Sequence, residues 1–327
     1  MSTKLSKLHL VFMTLSVLAI TGMLLSNRFE YIQIKISLYR DYYELVDIGF
    51  NFKILSQVCS ENTPMMLHVV VSAANNILRR NVIRKMCKND SAIVKTVFAL
   101  GMPQNATLQK EIEQENYLYS DIIQGNFNDA YRNMTYKHVM ALKYLNYYCS
   151  NANYLLKTDD DIFVNTKILQ KFVSTNLKER YPKNLILCKP QMHAPVYRSS
   201  SKWNVLKSEY SPDFYPPYCP GWMIIYSSDV VKHLYQKSRE RKNEFLWIDD
   251  VFVSGILATN LSTPHKRLSS VYIMPRENIK KLNKGEEVVD DRPFIFSPPE
   301  TSVAEFRALW NFTLTQDVPD TLEKFGV

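Results

Sequence analysis

Downstream of residue 60, short apolar runs alternate with longer polar stretches. Three runs, "MMLHVVVSAA" from Met65, "VKTVFAL" just before Gly101 and "NYLLKT" ending at Thr158, have the length and β-branched content of buried strands. Charged and amide residues fill the stretches between them, and "ATLQKEIEQENYLY" (106–119) has high helix propensity. Strands that alternate with helices predict an α/β fold with a mixed, mainly parallel central sheet covered on both faces.

The longest apolar run lies near the N-terminus. "LHLVFMTLSVLAITGMLLS" (8–26) has no formally charged residue over about 19 positions, the length of a membrane-spanning helix, and two lysines precede it. This pattern predicts a transmembrane signal anchor, with a cleaved signal peptide as the alternative. The predicted divisions are a cytoplasmic tail (1–7), the anchor (8–26), a stem (27–60) and a lumenal catalytic domain (61–327).

Composition supports a large folded domain in the secretory lumen. The chain has 327 residues, of which 46% are hydrophobic, and we find no internal repeat. Its net charge is +8, but the basic residues are spread along the chain, so we expect a basic surface and no nucleic-acid partner. Five N-glycosylation sequons and five cysteines fit an oxidising lumen. The odd number of cysteines leaves at least one unpaired within the chain.

Three consecutive carboxylates end the third apolar run, in "YLLKTDDDIFVN" (154–165). Parallel sheets bind ligands at the carboxyl ends of their strands. If the backbone there stays extended, Asp159 and Asp161 face one way and Asp160 the other, so two carboxylates can converge on one cation. Carboxylates suit Mg²⁺ or Mn²⁺, and an ion with few protein ligands keeps positions open for the phosphates of a nucleotide diphosphate. A solvated acidic turn or a calcium loop is the alternative.

Five ordered stretches together resemble the β-1,3-galactosyltransferase-type glycosyltransferases. They are "RRNVIRKMC", "YSDIIQGNFNDAYRNMTYKHVMAL", "KTDDDIFVN", "SKWNVLKSEYSPDFYPPYCPGWMIIYSSDVV" and "WIDDVFVSG". The resemblance runs from about Met65 to Trp310. It implies an inverting enzyme with a GT-A, Rossmann-like nucleotide-sugar-binding domain, held in the Golgi membrane as a single-pass type II protein. It also implies a UDP-sugar donor, Mn²⁺, and an acceptor glycan on a glycoprotein or glycolipid.

The resemblance also assigns roles to individual residues. Asp161 becomes the direct metal ligand and Asp159 a second ligand, while the predicted nucleotide-binding residues are Arg80, Arg84, Lys157, Asp159 and Asp160. Asp250 becomes the general base that deprotonates the attacking hydroxyl. Asp249 is a candidate acceptor contact. Trp203 and Trp222 are two more, because sugar C–H faces stack on aromatic rings. For Arg80 and Arg84 the alternative is an ordinary structural charge, and for the two tryptophans a core position.

The sequence departs from the family pattern at several positions. Met86 and Cys87 stand where Thr and Trp are usual, Asn126 replaces an Asp, and Met223 replaces a Gly. The stretch "FIFSPPETSVAEFRALW" lacks the usual His, so the metal shell is expected to be thinner or differently completed. The expected disulfides, Cys149–Cys219 and Cys59–Cys87, would leave Cys188 free.

The leading function is transfer of galactose from UDP-galactose to the 3-hydroxyl of an acceptor sugar, with a β-1,3 linkage. One alternative is transfer of N-acetylglucosamine or N-acetylgalactosamine. Another is a catalytically inactive lumenal relative that binds glycans or acts as a chaperone. The sequence is silent on oligomeric state and does not identify the acceptor.

Overall fold

A computed structural model of the chain describes residues 21–22, 51–60, 62–87, 93–178, 183–199, 201–241, 244–259, 261, 263–290 and 292–322. The chain divides into two compact units, Met1–Glu44 and Leu45–Val327, and only Thr21 and Gly22 of the first are described. Among the described helices, none is both long and apolar enough to cross a membrane. Apart from Thr21 and Gly22, the predicted anchor (8–26) lies outside the described residues.

Strands and helices alternate through the second unit. The described strands are β1 Phe52–Leu55, β2 Met66–Val71, β3 Val94–Met102, β4 Ile122–Asn128, β5 Tyr154–Asp159, β6 Ile186–Cys188, β7 Met223–Ser227 and β8 His265–Arg267. The α-helices are α1 Ile77–Met86, α2 Ala106–Tyr119, α3 Met134–Tyr148, α4 Thr166–Phe172, α5 Ser228–Glu240, α6 Arg276–Asn283 and α7 Val303–Leu314. Short 3-10 turns cover Tyr131–Asn133 and Ser270–Tyr272, and π-helical segments cover Val173–Leu177 and Val251–Ile256.

One sheet joins the described strands in the order β1-β4-β3-β2-β5-β7-β6-β8. Its centre, β4-β3-β2-β5, is parallel, whereas β1 and β7 pair antiparallel with β4 and β5. The chain moves from β2 outward to β3 and β4 and then returns to β5 on the other side of β2. The strand order therefore reverses between β2 and β5, which is where open α/β sheets bind ligands.

Successive side chains on the central strands point to opposite faces of the sheet and pack into different hydrophobic clusters. Leu67 and Val69 of β2 pack in a cluster with α3, α5 and the π-helical segment Val251–Ile256, while Met66 and Val70 face clusters that include α1, α4 and α7. Both faces of the sheet are thus covered, as the continuous apolar character of the strands predicts. This confirms the mixed, mainly parallel α/β fold.

The predicted elements match the observed ones closely in the centre of the sheet. The three apolar runs form β2, β3 and β5, and the predicted helix 106–119 is α2, which begins at the N-cap Asn105. The Asn105 side chain accepts hydrogen bonds from the backbone N–H groups of Thr107 and Leu108, which satisfies two otherwise unpaired donors. Strand β1 lies within the segment predicted as stem and pairs with β4.

The expected disulfide pairs are wrong. The structure joins Cys59 to Cys149 and Cys188 to Cys219, and it leaves Cys87 buried and free. The reason is topological: strand β6 runs beside β7, and this brings Cys188 at the end of β6 to the loop that precedes β7. The second bridge therefore fixes the loop that leads into Gly221.

Candidate active site

The acidic triplet lies at the carboxyl end of β5, beside the loop that follows β2. The strand ends at Asp159, and a turn begins at Asp160, so the extended backbone expected through Asp161 is not observed. The carboxylates nevertheless separate as expected. Asp160 faces the β2 loop. Burial raises the pKa of Asp159, and the nearby charge of Asp161 adds a smaller upward shift.

Asp160 ties the two central loops together. Its Oδ2 accepts hydrogen bonds from the Ser72 hydroxyl at 2.7 Å and from the Asn76 amide at 2.8 Å, and its backbone N–H bonds the carbonyl of Val71. The side chain is buried. This carboxylate therefore holds the loop after β2 against β5, which is a positioning role rather than the predicted direct nucleotide contact.

Asp161 is held by the segment that precedes α7. Its Oδ2 accepts the backbone N–H of Glu300 at 2.8 Å, and its carbonyl accepts the N–H of Thr301. Glu300 adopts the left-handed conformation with φ of 63°, which aims its N–H at the carboxylate. The other oxygen, Oδ1, is buried and has no hydrogen-bond partner among the described residues. Burial raises the pKa of Asp161.

Lys157 is the buried cation that joins the two halves of the site. Its Nζ lies 2.9 Å from Asp159 Oδ1, 2.5 Å from the carbonyl of Gly221 and 3.3 Å from Asp249 Oδ2. These three acceptors use all three ammonium donors, so the predicted nucleotide contact of Lys157 has no donor left to make it. Burial alone would lower the pKa of Lys157, but Asp159 and Asp249 outweigh it and raise the pKa.

The Asp249 carboxylate faces two buried side chains, Lys157 and His138. It accepts the Nδ1–H of buried His138 at 3.0 Å, and His138 Nε2 lies 3.2 Å from the Tyr226 hydroxyl. Burial lowers the pKa of His138, so the ring is neutral and donates from Nδ1, since a carboxylate only accepts. Burial would raise the pKa of Asp249, but Lys157 and His138 hold it well below its usual range. The predicted acceptor contact for Asp249 is therefore replaced by a supporting role.

Asp250 has the electrostatic setting of a base that works near neutral pH. Its Oδ1 and Oδ2 accept the backbone N–H groups of Val251 at 2.8 Å and Gly221 at 3.0 Å. Burial, reinforced by the negative charge of Asp249, raises the pKa of Asp250 to about 7. A pKa near the working pH is what an efficient general base requires.

The backbone around Asp250 is built for close approach. A Cβ at Gly221 would lie 3.0 Å from Lys157 Nζ and 3.4 Å from Asp250 Cβ, so a larger residue there would push the charged groups apart. Asp250 opens the helical turn that continues as the π-helical segment Val251–Ile256, and Ser254 on that segment donates to the Asp250 carbonyl. Ser254 also accepts the N–H of Cys219, which couples the base to the disulfide-linked loop.

The carboxylates of this site suit a divalent cation held by few protein ligands. No group of three or more His, Cys, Asp or Glu side chains within the described ranges is arranged to hold a metal ion. Two oxygens remain: Oδ1 of Asp161, which is buried and orphaned, and Oδ2 of Asp159, whose side chain is 32% exposed. Hard oxygen donors of this kind fit Mg²⁺ or Mn²⁺ with most positions open, as the missing His in the last stretch leads us to expect.

Arg80 and Arg84 form a buried ion-pair network instead of facing a nucleotide. All five N–H donors of Arg80 are used, two by Glu115 and three by Ser72 Oγ and the carbonyls of Ala73 and Ala74. This geometry favours the structural alternative for Arg80, which shapes the loop after β2.

Arg84 belongs to the same ion-pair network. Its guanidinium pairs with Asp121 and Glu115 and lies over the rings of Phe98 and Tyr119. The nucleotide contacts predicted for both arginines therefore find no support in their surroundings.

Arg79, which the sequence motif did not single out, is the arginine beside the triplet. Its Nη1 donates to the carbonyl of Thr301 at 3.0 Å, and its charge lowers the pKa of Asp161 against the larger effect of burial. Arg79 is half-buried on α1, one residue before Arg80. Helical geometry rotates neighbouring residues by about 100°, so one enters the core while the other faces the site. This rotation between neighbouring helical residues is the signal in the sequence that could have identified Arg79.

The two candidate tryptophans have different surroundings. Trp203 is 43% exposed, and its ring lies near Tyr197. Trp222 is half-buried and packs against the core cluster that includes Met66, directly after Gly221. Packing favours a core role for Trp222, whereas Trp203 stays available to a ligand. His265, the one His downstream of Asp250, bonds the Ser254 carbonyl and does not reach the triplet.

The chain is similar to known sugar-transferring enzymes. The Galactosyltransferase family model matches residues 78–269, a span that includes Asp159, Asp161 and Asp250. Beta-1,3-galactosyltransferase 5 of Gorilla gorilla gorilla is 31% identical over 229 residues, which cover 68% of this chain and 74% of that protein. The human protein of the same name is 32% identical over 217 residues, covering 65% and 68%. The solved galactosyltransferase LgtC aligns with a TM-score of 0.38 and 12% identity over 78% of this chain and 98% of its own.

Proposed function

Because this chain belongs to the galactosyltransferase family, we propose that its carboxylate site moves galactose from UDP-galactose to the 3-hydroxyl of an acceptor glycan. The chain is a hexosyltransferase, and the linkage it forms is β-1,3. The observation that carries the proposal is the position of Lys157, whose single ammonium contacts Asp159 on one side and Asp249, the neighbour of Asp250, on the other. The carboxylate predicted to bind the sugar donor and the pair that contains the predicted base therefore lie next to each other.

The donor side consists of Asp159, Asp161 and Arg79, in a GT-A type domain. The Asp161 Oδ1 and Asp159 Oδ2 oxygens would hold Mn²⁺, which supplies neutralising charge to the diphosphate leaving group when bound. Arg79 adds a cation at the same sheet edge, and guanidinium groups suit phosphate oxygens. Asp160 positions these groups through Ser72 and Asn76.

The acceptor side is centred on Asp250. Its carboxylate accepts the proton of the acceptor's 3-hydroxyl while that oxygen bonds to the anomeric carbon of galactose. The bond from that carbon to the UDP oxygen breaks at the same time, and UDP carries away the electron pair. Attack opposite to the leaving group inverts the α-linked donor to a β-linked product. A positioned base with a pKa of about 7 contributes about 10²- to 10⁴-fold to such a step.

The compartment we propose is the Golgi lumen, with the segment 8–26 as a single-pass type II anchor. Two disulfides, Cys59–Cys149 and Cys188–Cys219, support an oxidising environment, because such bonds are rare in cytosolic proteins. The acceptor would then be a glycan on a glycoprotein or glycolipid of the secretory route.

Donor competition followed by linkage analysis tests the proposal. The full-length chain in detergent is incubated with Mn²⁺, a glycan acceptor panel, and UDP-galactose, UDP-N-acetylglucosamine or UDP-N-acetylgalactosamine in turn. We expect product mainly from UDP-galactose, with nuclear magnetic resonance showing a β-1,3 bond. Asp320→Asn, an exposed carboxylate change, serves as the matched control and should leave the rate unchanged. Faster transfer from another donor, or no turnover with any donor, would overturn the assignment.

A further inference from the structure

An aromatic surface adjoins the proposed base. Tyr131 lies on the 3-10 turn Tyr131–Asn133 and is 51% exposed. Its ring centroid lies 6.0 Å from that of Trp247, in an edge-to-face arrangement, and Trp247 comes two residues before Asp249. The guanidinium of Arg132 covers Trp247, with its central carbon 4.5 Å from the ring centroid. Packing on Trp247 thus places Tyr131 beside the segment that carries Asp249 and Asp250.

Tyr131 also joins Trp203 to the same surface. Trp203 lies close enough to Tyr131 for its indole N–H to oppose, in part, the upward pKa shift that burial imposes on the Tyr131 hydroxyl. Burial raises the pKa of Tyr131, and the carboxylates of Asp249, Asp250 and Asp159 raise it further. The hydroxyl therefore remains protonated and lies within electrostatic range of both the donor and the acceptor carboxylates.

Buried polar atoms without partners occur on Trp247, on the residue that follows Trp203 and on a tyrosine whose pKa is raised by burial and by the charge of Asp250. They are Trp247 Nε1, Tyr215 Oη and Asn204 Oδ1, none of which has a hydrogen-bond partner within the described part of the chain. Trp247 is only 7% exposed, so its N–H is costly to leave unpaired. Aromatic rings beside unpaired polar atoms match a hexose, which presents both apolar C–H faces and hydroxyls.

We propose that Tyr131 and Trp203 form a carbohydrate-binding subsite for the acceptor, in which the buried Trp247 supports the Tyr131 ring and Tyr131 decides which sugar hydroxyl faces Asp250. The ligand class is a hexose or hexosamine ring with one face free of axial hydroxyls. The subsite rests on the proposed function, because it gives the galactosyl acceptor its place. Trp222, on the other side of Gly221, packs into the core and is not part of it.

Substitutions at Tyr131 separate acceptor binding from donor chemistry. In the full-length chain, Tyr131→Ala and Tyr131→Phe are compared with wild type, using UDP-galactose and the aryl β-glycoside that gives most product. We expect Tyr131→Ala to raise the acceptor KM about 10- to 100-fold and Tyr131→Phe about three- to tenfold, since the first loses the ring and the second only the hydroxyl. The KM for UDP-galactose and the slow hydrolysis of the donor should stay within about twofold of wild type, because no donor contact changes.

Tyr117→Ala is the matched control, because Tyr117 is an exposed tyrosine on α2 and touches neither carboxylate group. It should leave both KM values unchanged. If Tyr131→Ala fails to fold, Tyr131→Phe, which keeps the packing on Trp247, decides the matter. An unchanged acceptor KM in a Tyr131 variant that still turns over UDP-galactose would overturn the subsite alone. Absence of transfer by wild type to every acceptor would overturn the proposed function, and the subsite with it.

Discussion

Replacing Arg80 with methionine distinguishes a structural arginine from a nucleotide-binding one. Methionine keeps much of the side-chain volume and removes the charge. The change would break five hydrogen bonds in a side chain with no exposed surface, and it would leave Glu115 paired with Arg84 alone. It would also remove the Arg80 donor from the Ala74 carbonyl, whereas the Ala73 carbonyl would keep the N–H of Asn76.

The expected loss of stability is large because one partner of a buried ion pair remains. Removing one member of such a pair costs about 3–5 kcal/mol, compared with about 0.5 kcal/mol for an exposed pair. For a unit of this size, in which 1 kcal/mol shifts the unfolding midpoint by slightly less than about 2 °C, the loss corresponds to a fall of roughly 5–8 °C. The control is Lys237→Met, which removes a pair with Glu240 whose two side chains are largely in solvent.

Thermal unfolding and donor kinetics measured on the same preparations give the answer. Arg80→Met should lower the midpoint by about 4 °C or more relative to Lys237→Met, following the buried-pair magnitude above. Near-equal midpoints, together with a raised KM for UDP-galactose, would refute the structural assignment and restore the nucleotide contact that the sequence motif suggests.

Three further outcomes follow from the geometry. Asp250 must be ionised to accept a proton, and its pKa is raised to about 7, so kcat/KM should rise with pH through about 7 and fall about tenfold per unit below pH 6. Initial rates measured from pH 5 to 9 test this, and a flat profile would contradict it. Arg79→Ala should raise the KM for UDP-galactose about tenfold and leave the acceptor KM unchanged, and an effect on the acceptor alone would argue against a phosphate contact. Changing both Cys188 and Cys219 to serine removes a disulfide with a sequence separation of 31, which should lower the free energy of unfolding by about 3–4 kcal/mol. Denaturant titration measures this loss, and no loss would mean that the disulfide does not form.

The central strands and the location of the site could be predicted because they depend on local patterns. Apolar runs of strand length define β2, β3 and β5, and a parallel sheet places the residues after such strands at one edge. The triplet after β5 therefore had to lie near the loop after β2. The resemblance of "WIDDVFVSG" to a family motif predicts Asp250 as the second half of the site.

Pairings between distant residues could not be predicted from local patterns. Arg80 has its partner 35 residues away in Glu115, and Lys157 has one 92 residues away in Asp249, so neither sequence neighbourhood reveals that the charge is already neutralised. One signal was present. Glu115 follows Ile112 by three residues on α2, and both are buried, so the acid lies on the apolar face of its helix.

Disulfide pairing was beyond sequence reasoning for a similar reason. Cysteines 90 and 31 positions apart become neighbours only once the strand order of the sheet is fixed. Tyr131 was missed because an exposed aromatic in a turn carries no periodic signal, and its neighbours Trp203 and Trp247 lie in two other segments of the chain.

The division of labour between Asp161 and Asp250 is the central claim, and paired binding and turnover measurements test it most directly. UDP binding in the presence of Mn²⁺ is measured by calorimetry for wild type, Asp161→Asn and Asp250→Asn, and galactosyl transfer is measured on the same samples. We predict that Asp161→Asn weakens UDP binding at least tenfold, whereas Asp250→Asn binds UDP as wild type does and loses transfer by about 10²-fold or more. Wild-type transfer by Asp250→Asn, or unchanged UDP binding by Asp161→Asn, would contradict the account.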